Sequence, residues 1–351
     1  MQTLRGALRG ESLAHAYLFT GPRGTGKTTL ARLLAKTVNC EQNWLRNEGD
    51  EMPSGAPRGD ACGICSFCKE IEENKSLDLI EIDAASNRGI DEIRSLREGA
   101  RFASVRGKYK VYIIDECHML TKEASNALLK TLEEPPAKTL FILATTEPAK
   151  ILPTIVSRVQ GFALKKLNIA QIVSKLEKIA LAEKIKIDKN LLRLIAMQAE
   201  GSLRDAEGSF SKLVAFRGQD IDTRAVKEVL GFIPLRNFYE FLNLISSQKR
   251  EEAILMVNNI YESGLDLEGF TKGVLVYARK VLIAKSNPVS LVSHDNDFDP
   301  ETAQMVSFLA SKLEDQSLLK IISSLMNAQQ EMKISPIPQL PLEIAVMELT
   351  S

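Results

Sequence analysis

Gly21-Pro22-Arg23-Gly24-Thr25-Gly26-Lys27-Thr28 fits the pattern G-x-x-x-x-G-K-[ST], and its reading decides the fold. Glycines at that spacing let the backbone curl until successive N–H groups face a phosphate. Lys27 then reaches the β- and γ-phosphates, and the Thr28 hydroxyl can ligate Mg²⁺. The flanks give the match its weight. Ala16-Tyr17-Leu18-Phe19 reads as a buried strand, and Thr29-Leu30-Ala31-Arg32-Leu33-Leu34-Ala35 as a helix whose N-terminus points at an anion. The stretch predicts a nucleoside triphosphate site.

Working outward, a helix from Thr3 to Arg9 precedes that first strand. Leu77 to Asp83 alternates like a strand and leads into a helix starting near Asp91. Lys110-Val111-Tyr112-Ile113-Ile114-Asp115-Glu116 is an apolar strand ending in two carboxylates. Downstream of a phosphate loop, that ending predicts Asp115 in the Mg²⁺ shell and Glu116 polarising an attacking water. Cys117 reads as core, and His118 as a packed or hydrogen-bonded side chain rather than a catalyst. Ala124 to Glu134 reads as a helix stopped by Pro135-Pro136. Leu140 to Thr146 is a further buried strand with hydroxyls at its tip, and Gly161-Phe162-Ala163-Leu164 a last strand. Strands alternating with helices predict an α/β fold whose parallel sheet is covered on both faces.

Cys40, Cys62, Cys65 and Cys68 follow C-x21-C-x2-C-x2-C across an irregular stretch, Glu41 to Asp60. Four thiolates suffice for a closed tetrahedral Zn²⁺ site, structural because no ligand position stays open for chemistry. The chain of 351 residues carries 45 basic and 45 acidic side chains, so no global field draws it to nucleic acid or membrane. It has no apolar run of bilayer length and no signal-peptide pattern at its start, which predicts a soluble, cytoplasmic protein. From Asn168 the pattern turns helical: about Ala170 to Ala182, then after Asp188, then after Gly201-Ser202. From about Lys227 amphipathic spacing continues at Phe238, Phe241, Leu242 and Ile245, then Ile254, Val257, Ile260 and Tyr261. Asn287 to Pro300 reads as a polar loop, and Pro336, Pro338 and Pro341 as breaks in the last segment.

Taken together these residues resemble one family, the bacterial clamp-loader motor subunits gamma and tau of DNA polymerase III. The resemblance rests on His15-Ala16-Tyr17-Leu18-Phe19, the phosphate loop, the cysteine run, Asp78 to Ser86 and Ile113-Ile114-Asp115-Glu116. It continues through Asn126 to Pro136, Ala144-Thr145-Thr146, Ser157-Arg158 and Gly201-Ser202-Leu203-Arg204-Asp205-Ala206. The family implies an AAA+ P-loop module with a parallel five-stranded sheet, a three-helix lid and an all-α collar. The divisions expected are 1–166 with a zinc-binding insertion at about 40–68, 167–226 for the lid and 227–351 for the collar. The family implies Lys27, Asp115, Glu116 and Arg158 as catalytic. Gly21, Gly24, Thr25, Gly26, Lys27, Thr28, Thr29, Thr146 and Arg204 would bind ATP, with Thr28 and Asp115 on Mg²⁺. Thr146, with Thr145 as the other candidate, resembles the sensor beside the γ-phosphate. Arg158 resembles the finger that enters a neighbouring subunit's site, and Arg204 the lid sensor. Arg88, Arg94, Lys130 and Lys150 are candidates for sequence-blind contacts to DNA phosphates.

The partners implied are the delta and delta-prime subunits, further copies of the chain, the sliding clamp and primed DNA, in a cytoplasmic, nucleoid-associated setting without a membrane. Several departures qualify the match. The family's longer N-terminal segment, with elements near the adenine, is absent before Met1, which predicts a mis-set start or reduced nucleotide affinity. Val159 follows Ser157-Arg158 where the family has Cys, Glu207 stands where it prefers an apolar residue, and the stretch between Cys40 and Cys62 is longer than usual. The glutamate predicts altered packing of the lid helix, and the long stretch makes Cys40 the loosest of the four ligands. The chain ends after the collar, like the short gamma form. The alternative is a non-hydrolysing delta-prime-like stator of the same ring, which a complete phosphate loop disfavours.

Overall fold

A computed structural model describes residues 2–9, 13–44, 59–218, 220–222, 226, 229, 231, 233–286 and 300–350. They group into two compact units, Met1–Asp220 and Ile221–Ser351. The first holds strands β1 (Ala16–Thr20), β2 (Leu79–Asp83), β3 (Lys110–Asp115), β4 (Thr139–Thr145) and β5 (Gln160–Ala163). Its helices are α1 (Gln2–Arg9), α2 (Lys27–Val38), α3 (Glu41–Trp44), α4 (Ser66–Glu72), α5 (Ile90–Ala100), α6 (Lys122–Glu133) and α7 (Pro153–Val156). Three more follow: α8 (Ile169–Ala182), α9 (Lys189–Gln198) and α10 (Leu203–Arg217).

The strands form the expected five-stranded parallel sheet, in the order β2-β3-β4-β1-β5. A parallel sheet is stable only with both faces covered, and side chains alternate between those faces. Tyr17, Phe19, Val111, Ile113, Leu140 and Ile142 pack with Ala31, Leu34, Ala35 and Val38 of α2. Their neighbours Ala16, Leu18, Tyr112, Ile114, Phe141 and Leu143 pack with Ile93 and Leu96 of α5 and Leu128 and Leu132 of α6. Strand β4 is buried at every residue, which explains its unbroken apolar reading. The order seats β4 between β1 and β3. The phosphate loop, the paired carboxylates and the hydroxyl tip therefore leave adjacent strands at one edge, where ligands of open parallel sheets bind.

The next three helices begin with side-chain caps that the sequence carries in plain form: Asn168 with Gln171 as a capping box, Asp188 and Ser202. Glu207 lies within α10, which buries Ala206, Phe210 and Leu213. Val159 packs against the α5–α6 side of the sheet. Cys117 is buried as expected, and burial pushes its thiol up to about 12.

Beyond Ile221, which ends a short strand, the elements among the second unit's described residues are helical, as expected: Leu235–Ser246, Arg250–Glu262, Leu267–Ser286, Pro300–Lys312, Asp315–Met332 and Leu340–Leu349. Phe238, Phe241, Leu242, Ile245, Val257 and Ile260 enter its core. Tyr261 does not; it is 43% exposed, because the apolar stripe of its helix ends one residue earlier. Pro341 does not break the last segment either. It occupies the first turn of the final helix, where a missing N–H costs nothing. The helical start near Lys227 and the irregular residues 45–58 lie outside the described residues, as does the polar loop after Asn287 apart from Pro300, which opens a helix.

The strand expected from Leu77 starts two residues later, at Leu79. Asp78 is 1% exposed, and its carboxylate accepts the N–H groups of Val105 (2.6 Å), Arg106 (2.8 Å) and Gly107 (2.7 Å). It holds the turn that feeds β3. Removing it leaves three donors without their acceptor, so Asp78→Ala should lower unfolding stability by about 3 kcal/mol. Denaturant titration checks this, and a loss under about 1 kcal/mol, the size of one ordinary hydrogen bond, would contradict the role.

Candidate functional site

The loop's conformation demands its glycines. Gly21 sits at φ +144°, where a Cβ would come 2.3 Å from the Leu164 carbonyl oxygen. Gly24 sits at φ +73°, where a Cβ would come 1.9 Å from the Ser202 hydroxyl. A side chain at either position is both strained and in collision. The Thr25 hydroxyl closes the turn by donating to the Pro22 carbonyl (2.8 Å). Lys27 is 6% exposed and folds back across the loop, donating to the carbonyls of Gly21 (2.8 Å) and Pro22 (3.0 Å). Burial lowers its pKa, and the nearby Glu116 and Asp115 charges oppose that shift.

Opposite the loop, the Thr28 hydroxyl donates to Asp115 Oδ2 at 2.6 Å, while the Glu116 N–H donates to Asp115 Oδ1 at 2.9 Å. Glu116 has left its strand and lies in the left-handed region at φ +46°. For a residue with a side chain that costs on the order of 1 kcal/mol, and such strain gathers at functional sites. Its Oε2 accepts from the Thr146 hydroxyl (2.9 Å) and N–H (3.2 Å). Thr145, at the end of β4, instead lies 2.9 Å from His118 Nδ1. The structure thus brings together Lys27, Thr28, Asp115, Glu116 and Thr146.

The side chains of the other candidates form no hydrogen bond or ion pair with that cluster among the described residues: Thr29 is exposed on α2, and Arg204 is exposed in the first turn of α10. Arg158 follows α7, and its guanidinium pairs with Glu133 at 2.7 Å and donates to the Thr154 carbonyl at 2.9 Å. Arg88, Arg94, Lys130 and Lys150 are all exposed. Arg94 pairs with Asp91 (3.1 Å) and Lys150 with Glu147 (2.8 Å), surface contacts that contribute little and leave the charges available.

At the far end of α2 the sulfurs of Cys40, Cys62, Cys65 and Cys68 all lie within 4.8 Å of one another, buried. The Cys62 and Cys68 sulfurs are 3.9 Å apart. Backbone N–H groups point at them: Cys62 to Cys40 (3.3 Å), Cys65 to Cys62 (3.3 Å) and Cys68 to Cys65 (3.5 Å). Hydrogen bonding with Cys68 lowers the pKa of the Cys40 thiol, and the same bond together with burial raises that of Cys68. The long spacing to Cys40 does not keep its sulfur from the other three.

One contact had no signal in the sequence. The Leu203 N–H, at the start of α10, donates to the Gly24 carbonyl at 3.0 Å, while Ser202 crowds the Gly24 α-carbon. The lid helix and the phosphate loop therefore share a backbone bond that only a Cβ-free residue permits. Gly24→Ala should raise the exchange rate of the Leu203 amide about tenfold or more, as the strained loop gives up that bond. Hydrogen exchange by NMR checks this; an unchanged rate would contradict the contact's dependence on glycine.

Comparison with known proteins covers each part of this arrangement. A family model described as "DNA polymerase III, delta subunit" matches residues 1–168, and "DNA polymerase III clamp loader subunit, ATPase lid domain" matches 171–207. "DNA polymerase III subunits gamma and tau domain III" matches residues 221–351. The chain is 37% identical to the Bacillus subtilis "DNA polymerase III subunit tau", over 99% of this chain and 59% of that protein. It is 39% identical to the Escherichia coli subunit tau over 79% of this chain, spanning 41% of that relative's length. With the Buchnera aphidicola (from Acyrthosiphon pisum) "DNA polymerase III subunit gamma" it shares 32% identity over 96% of this chain and 89% of that protein. The lid and domain III matches thus follow one another along this chain, and the chain belongs to the family of bacterial DNA polymerase III gamma and tau subunits.

Proposed function

We propose that this chain is the ATP-driven motor subunit of a bacterial clamp loader, hydrolysing ATP to load the sliding clamp at primer–template junctions. The observation that carries the reading is the joined set Thr28, Asp115, Glu116 and Thr146 beside a complete phosphate loop. The hydroxyl of Thr28 and the carboxylate of Asp115 offer adjacent hard oxygens, the donor type Mg²⁺ selects. A bound Mg²⁺ would neutralise charge on the β- and γ-phosphates. Lys27 would turn from the Gly21 and Pro22 carbonyls to the phosphates, and the N–H groups from Gly24 through Thr29 would face them. Glu116 would orient and polarise the attacking water, with Thr146 holding its carboxylate in register.

Arg158 is read as a finger acting on a neighbouring subunit's nucleotide, and Arg204 as a sensor on the lid. A permanently charged planar group suits a γ-phosphate in the transition state. The divisions proposed are a base of 1–166, a lid of 167–226 and a ring-forming collar of 227–351. Delta, delta-prime, further copies of the chain, the clamp and primed DNA are the proposed partners, which implies a cytoplasmic, nucleoid-associated site of action. Arg88, Arg94, Lys130 and Lys150 are proposed to follow backbone phosphates, with affinity falling as salt rises.

The four thiols are read as a structural zinc site. The 3.9 Å between the Cys62 and Cys68 sulfurs is close to the roughly 3.8 Å edge of a tetrahedron with Zn–S bonds of about 2.3 Å. Thiol modification of the protein grown with zinc should release one Zn²⁺ per chain, measured with a chromogenic indicator, and Cys40→Ser should release much less. No release from the wild type would overturn this reading.

The motor reading is tested by steady-state ATPase of the reconstituted loader, with and without clamp and primed DNA. Turnover should rise with both, and Arg158→Ala should lower it by a factor of about 10³ while leaving ATP affinity near wild type. An inert wild-type loader would point to the stator instead. Full turnover in the variant would remove Arg158 from the mechanism.

A further inference from the structure

The residues after Glu116 make a short turn, Cys117–Met119, and His118 occupies a junction that the ATPase reading leaves without a task. Its side chain is 6% exposed. Nδ1 lies 2.9 Å from the Thr145 hydroxyl oxygen and 3.4 Å from Glu116 Oε2. Nε2 lies 3.3 Å from Glu147 Oε1. The Glu147 N–H donates to the same Thr145 oxygen at 3.0 Å, and Glu116 Oε2 accepts from Thr146 at 2.9 Å. Residues 116–118 and 145–147 are thereby laced together, with the imidazole as the only side chain that touches Thr145, Glu116 and Glu147 at once among the described residues.

We propose that His118 is a positioning residue for the hydrolytic step, a deepening that rests on the ATPase reading above. Its imidazole ties the Glu116 carboxylate to the tip of β4, so that the group polarising the water and the hydroxyls beside the γ-phosphate keep one fixed spacing. Glu116 needs such a brace. It stands at φ +46° beyond the end of β3, with no ladder bonds to fix its backbone, and its side chain has three rotatable bonds. Thr146 holds Oε2 from one side, and His118 closes the other. Oε1 takes no hydrogen bond from the described residues, which leaves that oxygen to face a water. Small errors in such spacing are costly in rate, whereas binding depends on the loop, which His118 does not touch.

The surroundings allow the idea to be tested without unfolding the protein. One side of the ring borders a cavity of about 240 Å³ lined by Leu120, Leu128, Leu143, Ile151 and Ile155. Truncation therefore widens an existing void rather than opening a new one. Glu147, on the far side, is 48% exposed and already paired with Lys150.

The experiment compares wild type, His118→Ala, His118→Asn, His118→Gln and Glu116→Gln in the reconstituted loader. It reads kcat, KM for ATP, affinity for a slowly hydrolysed ATP analogue and melting temperature. His118→Ala should lower kcat about tenfold or more, with KM and analogue affinity within about twofold. His118→Asn places a polar atom where Nδ1 stands and should restore more of kcat than His118→Gln, whose polar atoms lie nearer the Nε2 position. Wild-type kcat in His118→Ala would overturn the proposal. So would a parallel fall in kcat, affinity and melting temperature, or no advantage of Asn over Gln. Glu116→Gln reports on the ATPase reading separately: if it keeps full turnover, that reading fails, whatever the His118 series shows.

Discussion

A single hydrogen bond, from the Thr28 hydroxyl to Asp115 at 2.6 Å, joins the first turn of α2 to the end of β3. Helix α2 follows β1 through the loop, and β4 lies between β1 and β3 in the sheet. Glu116, the next residue along, accepts from Thr146 at the tip of β4, which ties that strand's end to the same corner. A hydroxyl donating to a carboxylate is among the shorter and stronger hydrogen bonds, and both oxygens are ligands of the kind a small hard cation takes. Sheet order, loop and carboxylates are thereby tied to one spacing.

Helix α2 carries that constraint to both of its ends. At its start, Gly24 accepts the Leu203 amide, which brings the first turn of α10 against the loop. At its end, Asn39 is fully buried and pairs with the Tyr109 backbone in both directions, N–H to side chain and side chain to carbonyl, each at 2.8 Å. An asparagine amide used this way imitates a strand partner and fixes where β3 begins. Lys36 pairs with Glu72, and Cys40 joins the other thiols, so the cysteine module is anchored to the same helix. Arg5 adds a bidentate pair to Asp60 (2.8 and 2.7 Å), linking α1 to the edge of that module.

Much of the first unit was legible because its signals are local. The strands of β3 and β4 are unbroken apolar runs, the loop is a fixed pattern of glycines, and each of the three helices after β5 opens on a capping side chain. The features missed are tertiary. Asp78 fitted the alternation of a strand, yet it serves three amides some 27 to 29 residues away. The Leu203–Gly24 bond, the Arg158–Glu133 pair and the contacts of His118 likewise join segments that no short-range period connects. Tyr261 and Pro341 were misread for the opposite reason. A local rule was applied one residue past the end of a stripe, and a helix breaker was met in the one turn that accepts it. Cys40 is instructive too, since folding erases a spacing that looked loose in the chain.

The central claim is that Thr28 and Asp115 form one Mg²⁺-dependent phosphate site with the loop. Calorimetric titration of ATP into the wild-type chain and Asp115→Asn, with and without Mg²⁺, tests it most directly. The account predicts that Mg²⁺ tightens ATP binding by the wild type and that the substitution removes most of this gain while metal-free binding stays close to wild type. An equal gain from Mg²⁺ in both proteins would contradict it.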